Sequence, residues 1–211
     1  MHLTSKHHPG RRVAAALAAA LLVFVLSATS ASADDRAGDR AAIAEMLYCY
    51  AYAVDALGNS RPTTADRDPG LVDAAGRFKR CLADDAKLQL FFNGREGTPT
   101  PAGSGGPVEF AKFVRQYFTA YGYAATQHIV GNVVVTFAGA DEASVTSYIQ
   151  ANHWLDDGRL LIVPVRYEDR AVRVVGLWKI ARRDIIALRF WIAEGYAPNP
   201  VDPTLARPPA R

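Results

Sequence analysis

The spacing of apolar positions divides the chain into a helical first part and a β-rich second part. Apolar residues recur every three or four positions in three segments, which predicts helices over 34–57, 71–83 and about 108–120. Alternating or continuous runs of Val, Ile, Leu, Tyr and Trp predict the following strands: 86–92, 127–138, 143–155, 159–168, 171–181 and 184–193.

Short polar segments separate the predicted strands. Gly139-Ala140-Asp141 and Asp156-Asp157-Gly158 are typical of hairpin turns, and Arg182-Arg183-Asp184 is interpreted as a further tight turn. Three helices followed by antiparallel strands indicate an α+β fold with the helices on one face of a strongly curved sheet. Such a sheet leaves a conical pocket beneath the helices, where a small ligand can bind.

The first 33 residues have the three-part pattern of a secretory signal peptide. Basic residues precede an apolar run from Val13 to Leu26, and Ala31-Ser32-Ala33 is a cleavage site of the A-x-A type. We therefore expect cleavage after Ala33 and a secreted, periplasmic or cell-envelope location. An uncleaved anchor is the alternative, and Arg11-Arg12 leaves twin-arginine export open. The domain is predicted over 34–196, followed by a Pro-rich tail over 197–211.

Composition and charge narrow the possible partners. Half of the residues are apolar and 21% are charged, as in a globular domain. The formal net charge is +3, and Lys6, Arg11 and Arg12 of the leader account for it. We therefore expect no nucleic-acid partner and no membrane contact beyond the leader. Export makes a disulfide between Cys49 and Cys81 plausible, and two separate buried thiols are the alternative.

His128 and His153 are the histidines that remain after the leader. They are nearly equidistant from the turn at Gly139-Ala140-Asp141, which predicts that they are near neighbours across a hairpin. Histidine is the natural acid or base near neutral pH. The alternative is a pair of hydrogen-bonded histidines without chemistry. A metal site with Asp55 as third ligand is a weaker hypothesis, because zinc usually takes three or four protein ligands, and we expect no metal.

Two residues of the first helix are candidates for the same chemistry. Asp55 lies at the edge of the apolar stripe, where its carboxylate can orient a histidine and stabilise its cation. A solvated acid at the end of the helix is the alternative. Tyr50 lies on the stripe, where a phenol in a pocket can stabilise a developing enolate. A core tyrosine bonded to the backbone is its alternative.

The chain resembles the SnoaL-like branch of the nuclear transport factor 2 superfamily over about residues 38–195. The resemblance rests on the order and spacing of five motifs: Tyr50-x-x-x-x-Asp55, Leu82-Ala83-Asp84-Asp85-Ala86, Thr126-Gln127-His128 with Asn132, Arg166-Tyr167-x-Asp169, and Gly176-Leu177-Trp178-Lys179-Ile180-Ala181-Arg182. It implies a cone-shaped α+β fold in which helices pack on a curved, mainly antiparallel sheet.

The resemblance also implies a function. In the bile-acid 7α-dehydratase branch the catalytic residues match Tyr50, Asp55 and His128, and the two catalytic histidines of scytalone dehydratase match His128 and His153. Other catalytic positions of scytalone dehydratase fall on Val54, Val165 and Tyr167, which departs from its pattern. Residues expected to contact substrate are His153, Asn132, Tyr167 and Trp191.

The implied activity is that of a cofactor-independent dehydratase, isomerase or cyclase acting on a hydrophobic, oxygenated ring of steroid or polyketide type. A non-catalytic module that binds a small molecule or a protein is the alternative, because the fold also serves such roles. Apolar positions on the late strands predict a homodimer through the sheet, with a monomer as the alternative: Val172, Val174, Leu177, Leu188, Phe190 and Ile192.

Overall fold

The computed structural model describes residues 33–61, 68–92, 94, 100–102 and 105–193. Most of the predicted leader and the whole Pro-rich tail lie outside the described residues. The chain divides into two compact units, Met1–Gly38 and Asp39–Arg211. In the first unit, residues 33–38 are helical. The second contains the rest of that helix and all other elements.

The described part of the chain contains three helices, as the spacing of apolar residues predicts. They are α1 (Ala33–Gly58), α2 (Pro69–Cys81) and α3 (Pro107–Ala120). The predicted apolar stripe of α1 is confirmed, because the five residues that recur at spacings of three and four are all buried: Ile43, Leu47, Tyr50, Val54 and Leu57. At the start of α2, the Asp68 carboxylate accepts a hydrogen bond from the Leu71 amide, and proline at the first helical position needs no such partner.

Within the described residues, seven strands form one sheet. They are β1 (Leu82–Phe91), β2 (Thr100–Pro101), β3 (Tyr123–Phe137), β4 (Glu142–Leu155), β5 (Leu160–Val174), β6 (Leu177–Ala187) and β7 (Trp191–Ala193). The order is β2-β1-β6-β5-β4-β3, and β7 pairs with β5. The β1–β6 pair is parallel and the other pairs are antiparallel. The α+β fold with a curved, mainly antiparallel sheet is confirmed.

Several predicted boundaries are wrong: β5 continues through the break expected at 169–170, and the predicted strand 184–193 is divided between β6 and β7. Arg182-Arg183-Asp184 is not a turn but lies inside β6, because Arg183 is buried and pairs with Asp169 on β5. The turn between β5 and β6 is instead Val175-Gly176, whose two residues both have positive φ, as a two-residue hairpin of type I′ requires. In addition, α2 ends at Cys81 and β1 starts at Leu82, which is four residues earlier than the predicted start of this strand at Ala86.

Alternate residues of β4 and β5 form the inward face of the sheet. On β4 the buried positions from Val145 to Ala151 recur at every second residue, and on β5 Val163, Val165 and Tyr167 do the same. These positions face the helices and form the core with them. After Ala187 the regular pairing with β5 is interrupted, although the Leu188 N–H still donates to the Pro164 carbonyl, and pairing resumes where Trp191 lies opposite Ile162.

Among the described residues, no helix combines the length and the apolar character needed to cross a membrane.

Candidate active site

Asp55 and His128 form a hydrogen-bonded pair between α1 and β3. The carboxylate oxygen Oδ1 of Asp55 lies 2.7 Å from Nδ1 of His128, and its Oδ2 accepts the His128 backbone N–H at 3.0 Å. Both side chains are largely buried. A carboxylate only accepts hydrogen bonds, so Nδ1 of His128 donates and Nε2 carries the lone pair. The pair therefore fixes the tautomer in which His128 is a base at Nε2.

Thr126 and Asn59 hold this pair in place. The Thr126 hydroxyl donates to Oδ1 of Asp55 at 2.9 Å. The Asn59 side chain bonds to both the backbone N–H and the backbone carbonyl of Thr126, each at 3.0 Å. Gly58 permits the close approach, because a Cβ at this position would lie 2.0 Å from the Thr126 hydroxyl oxygen. The end of α1 is thus joined to β3 beside Asp55 and His128.

His153 lies next to His128, as the hairpin predicts. The β3–β4 register places His153 opposite Thr126, and the centroids of the two imidazole rings are 5.5 Å apart. Burial, together with the nearby His128, lowers the pKa of His153 to about 3. Its ring stacks on Tyr123 with centroids 4.3 Å apart, and its buried Nδ1 has no hydrogen-bond partner among the residues that the structure describes. His153 is therefore a neutral imidazole near pH 7.

Both histidines line a cavity between the helices and the inward face of the sheet. Its volume is about 720 Å³, including the open mouth. Aromatic side chains form most of its wall: Phe91, Phe92, Phe110, Phe113, Tyr117, Phe118, Tyr123 and Phe190. Among the described residues, no Lys or Arg lines it. Since Asp55 is not part of the lining either, His128 separates the carboxylate from the cavity.

Tyr50 and Tyr167 also line the cavity, and their rings enclose a buried charge. The Arg183 guanidinium lies 3.9 Å from the Tyr50 ring centroid and 4.0 Å from that of Tyr167. Two hydrogen bonds, of 2.8 and 2.6 Å, join it to the Asp169 carboxylate. Burial raises the pKa of Tyr50 well above its usual range and that of Tyr167 to about 12. Both phenols are therefore protonated near pH 7.

Two residues predicted to contact substrate do not line the cavity. Asn132 is exposed and has a φ of 50°. It lies where the β3–β4 pairing is irregular, so the regular alternation of inward and outward side chains along β3 does not hold there. Trp191 lies opposite Ile162 on β5. Ile162 and Val163 are consecutive, so their side chains point to opposite faces of the sheet, and Val163 is the one that lines the cavity. Trp191 therefore belongs to the outer face of the sheet, and these two predictions are corrected.

Cys49 and Cys81 do not line the cavity and are both free thiols. The Sγ atoms of both cysteines lie within hydrogen-bond distance of the same backbone carbonyl, that of Arg77. The predicted disulfide stays a prediction. Within the described residues, no group of three or more His, Cys, Asp or Glu side chains could hold a metal ion.

The sequence matches the family model of the SnoaL-like domain over residues 71–184. The chain belongs to this family. The match covers the helices α2 and α3 and the strands up to Asp184, so it includes both histidines and the buried Arg183. No curated protein sequence matches the chain.

Solved structures show that the SnoaL-like domain has the nuclear transport factor 2-like fold. A candidate scytalone dehydratase from Novosphingobium aromaticivorans is 20% identical, with a TM-score of 0.56 over 81% of this chain and 98% of that one. The hexachlorocyclohexane dehydrochlorinase LinA-type3 from Novosphingobium barchaimii is 19% identical, with a TM-score of 0.61 over 80% and 100%. A candidate β subunit of an aromatic-ring-hydroxylating dioxygenase from N. aromaticivorans is 18% identical, with a TM-score of 0.54 over 78% and 99%.

Sequence reasoning missed two parts of this SnoaL-like site. Arg183 was assigned to a turn, although Asp169 shares strand parity with the inward-facing Tyr167 and so calls for a buried cation. The aromatic wall from α3 was predicted only as an apolar helix face. Tyr117 follows Phe113 by four residues, and this spacing was the available signal for a continuous aromatic surface.

Proposed function

We propose that this protein is a cofactor-independent dehydratase or isomerase that acts on a hydrophobic, oxygenated ring. The observation that carries the proposal is the hydrogen bond between Asp55 and His128 at the wall of an aromatic cavity. Two neutral tyrosines and a neutral second histidine lie in the same cavity. The absence of Lys and Arg from its described lining favours an uncharged substrate.

In the proposed reaction, Nε2 of His128 removes a proton from the carbon next to a ring carbonyl. Tyr50 donates a hydrogen bond to the carbonyl oxygen as negative charge develops there. In a dehydration, the C–O bond to the leaving hydroxyl then breaks, a C=C bond forms, and the His128 imidazolium returns its proton to the departing oxygen. Water leaves and His128 is again neutral. In an isomerisation the same proton returns to a different carbon.

Asp55 and His153 have supporting roles in this scheme. The Asp55 carboxylate holds the tautomer of His128 and stabilises the imidazolium that forms. Because His153 is neutral, it acts as a polar anchor for a substrate oxygen rather than as a second acid. A positioned base of this kind contributes typically about 10²–10⁴-fold to the rate.

The test uses a panel of hydrophobic cyclic β-hydroxy ketones, followed by the ultraviolet absorbance of the conjugated enone. We expect His128→Ala and Asp55→Asn to lower kcat by about 10²–10⁴-fold. Gln127→Ala is the matched control, because Gln127 is the exposed neighbour of His128 on the same strand. Turnover that survives His128→Ala removes the proposed base. Ring compounds that bind tightly without turnover identify the protein as a binding module.

We also propose export with cleavage after Ala33, and a homodimer formed through the sheet. The signal-peptide pattern of the first 33 residues supports the first proposal. Exposed apolar side chains on the late strands support the second, among them Leu177, Leu188 and Ile192. The intact mass of the protein recovered from the envelope or medium tests the cleavage, and size-exclusion chromatography with light scattering tests the dimer.

A further inference from the structure

Cys49 and Cys81 meet where α1 packs against the end of α2. Cys49 lies in the second half of α1, and Cys81 is the last residue of α2. Their Sγ atoms lie 3.4 and 3.5 Å from the same oxygen, the backbone carbonyl of Arg77. Both cysteines therefore surround one carbonyl oxygen, and their sulfur atoms are no farther apart than the sum of these two distances.

The two thiols have different surroundings. Cys49 is half-buried beside the guanidinium groups of Arg77 and Arg80, whereas Cys81 is 1% exposed. A hydrogen bond from Cys81, aided by Arg80 and Arg77, lowers the pKa of Cys49 to about 6. The same interaction and burial raise the pKa of Cys81. An accessible thiolate beside a buried, protonated thiol is the arrangement of a nucleophilic and a resolving cysteine.

We propose that Cys49 and Cys81 form a reversible redox dithiol whose partner is a small-molecule disulfide. The Cys49 thiolate attacks one sulfur of the reagent, the reagent's S–S bond breaks, and one thiolate leaves. Cys81 transfers its proton to a thiolate and attacks the Cys49 sulfur of the mixed disulfide. The Cys49–Cys81 bond forms, the bond from Cys49 to the reagent's sulfur breaks, and that sulfur leaves as a thiolate, which takes a proton from water. Two protein thiols are oxidised by two electrons, and the reagent is reduced to two thiols.

This dithiol lies directly behind the wall of the cavity. Tyr50 follows Cys49 in α1, and Phe78 lies one turn before Cys81 in α2. The rings of Tyr50 and Phe78 are in contact, with centroids 5.5 Å apart. A bond between the cysteines therefore links the two helices at the level of these rings and restricts their relative movement. The dithiol itself does not depend on the proposed catalysis.

The experiment treats the purified, reduced protein with glutathione disulfide, traps free thiols with N-ethylmaleimide and measures intact mass. We expect the wild-type protein to lose two hydrogens and to take up no maleimide, and dithiothreitol to reverse this. Cys81→Ser should stop at one bound glutathione on Cys49. Cys49→Ser should remain unmodified for much longer, because Cys81 is buried. The alkylation rate of Cys49 should rise with pH around a midpoint of about 6.

Thermal unfolding gives a second readout that needs no variant. Closing a loop of this length should raise Tm by roughly 5–15 °C on oxidation. The proposal is overturned if wild-type protein keeps two alkylatable thiols after prolonged treatment, or if Cys81→Ser takes up no glutathione. An oxidised protein whose mass corresponds to two bound glutathiones, rather than to an internal bond, also overturns it.

Discussion

Replacing Thr126 by valine removes one of the three hydrogen bonds to Asp55 and nearly preserves the shape of the side chain. The Thr126 hydroxyl donates to Oδ1 of Asp55 at 2.9 Å, and Thr126 is 3% exposed, so that water cannot readily take its place. Asp55 keeps its two bonds to His128, and Asn59 keeps its two bonds to the Thr126 backbone. The substitution therefore isolates a single contact of the site.

The expected cost follows from the charge on the acceptor. Hydrogen bonds to charged groups contribute about 1.5–3 kcal/mol, so we expect the free energy of unfolding to fall by about 2 kcal/mol. For a domain of this size, that loss lowers Tm by roughly 4–8 °C. Urea denaturation at neutral pH, followed by circular dichroism, measures the difference directly.

Two control variants separate the hydrogen bond from other effects. Thr126→Ser keeps a hydroxyl and should recover most of the stability. Thr119→Val removes an exposed hydroxyl that bonds to a carbonyl within α3, and should change the free energy of unfolding by less than about 0.5 kcal/mol. A loss for Thr126→Val as small as that for Thr119→Val would refute the role given to this contact.

Two further predictions concern the charged and titrating groups around the cavity. Asp169→Asn leaves the Arg183 cation buried without its counter-charge, and chemical denaturation should show a loss of about 3–5 kcal/mol; a loss below about 1 kcal/mol would contradict the buried pair. Burial lowers the pKa of His153 from 6.5 to about 3. Between pH 3 and pH 6.5, His153 is therefore protonated in the unfolded chain and neutral in the folded protein. This contribution to stability is complete above pH 6.5 and is lost as the pH falls towards 3, and equal pH slopes for wild type and His153→Phe would contradict it.

Local patterns predicted most of the secondary structure, because the core faces of the helices and the first hairpin follow simple periods. The turn at Gly139-Ala140-Asp141 fixed which residues of β3 and β4 lie opposite each other, so the proximity of His128 and His153 was accessible from the sequence. The β5–β6 hairpin was not. The three consecutive charged residues Arg182-Arg183-Asp184 are typical of a turn. They lie in a strand because Arg183 is paired with Asp169 on the adjacent strand, and this partner is visible only in the structure.

The same distinction applies to the site. The pairing of Asp55 with His128 was predictable from the position of the acid at the edge of an apolar stripe, combined with the resemblance. The positions of Asn132 and Trp191 were not predictable from the sequence. The position of Asn132 depends on an irregularity in the pairing of β3, and that of Trp191 depends on where pairing with β5 resumes after β6. A single-residue shift in a strand reverses the face of a side chain, and periodicity alone does not reveal such a shift.

The three-residue segment between β6 and β7 contributes to the cavity wall independently of the Asp55–His128 pair. Phe190 is half-exposed in this short excursion and still contributes to the cavity wall. The Asp55–His128 pair, by contrast, comes from α1 and β3, far away along the chain. Substitutions at a few positions around Phe190 can therefore change the shape of the cavity wall, while the Asp55–His128 pair and the residues that hold it stay untouched.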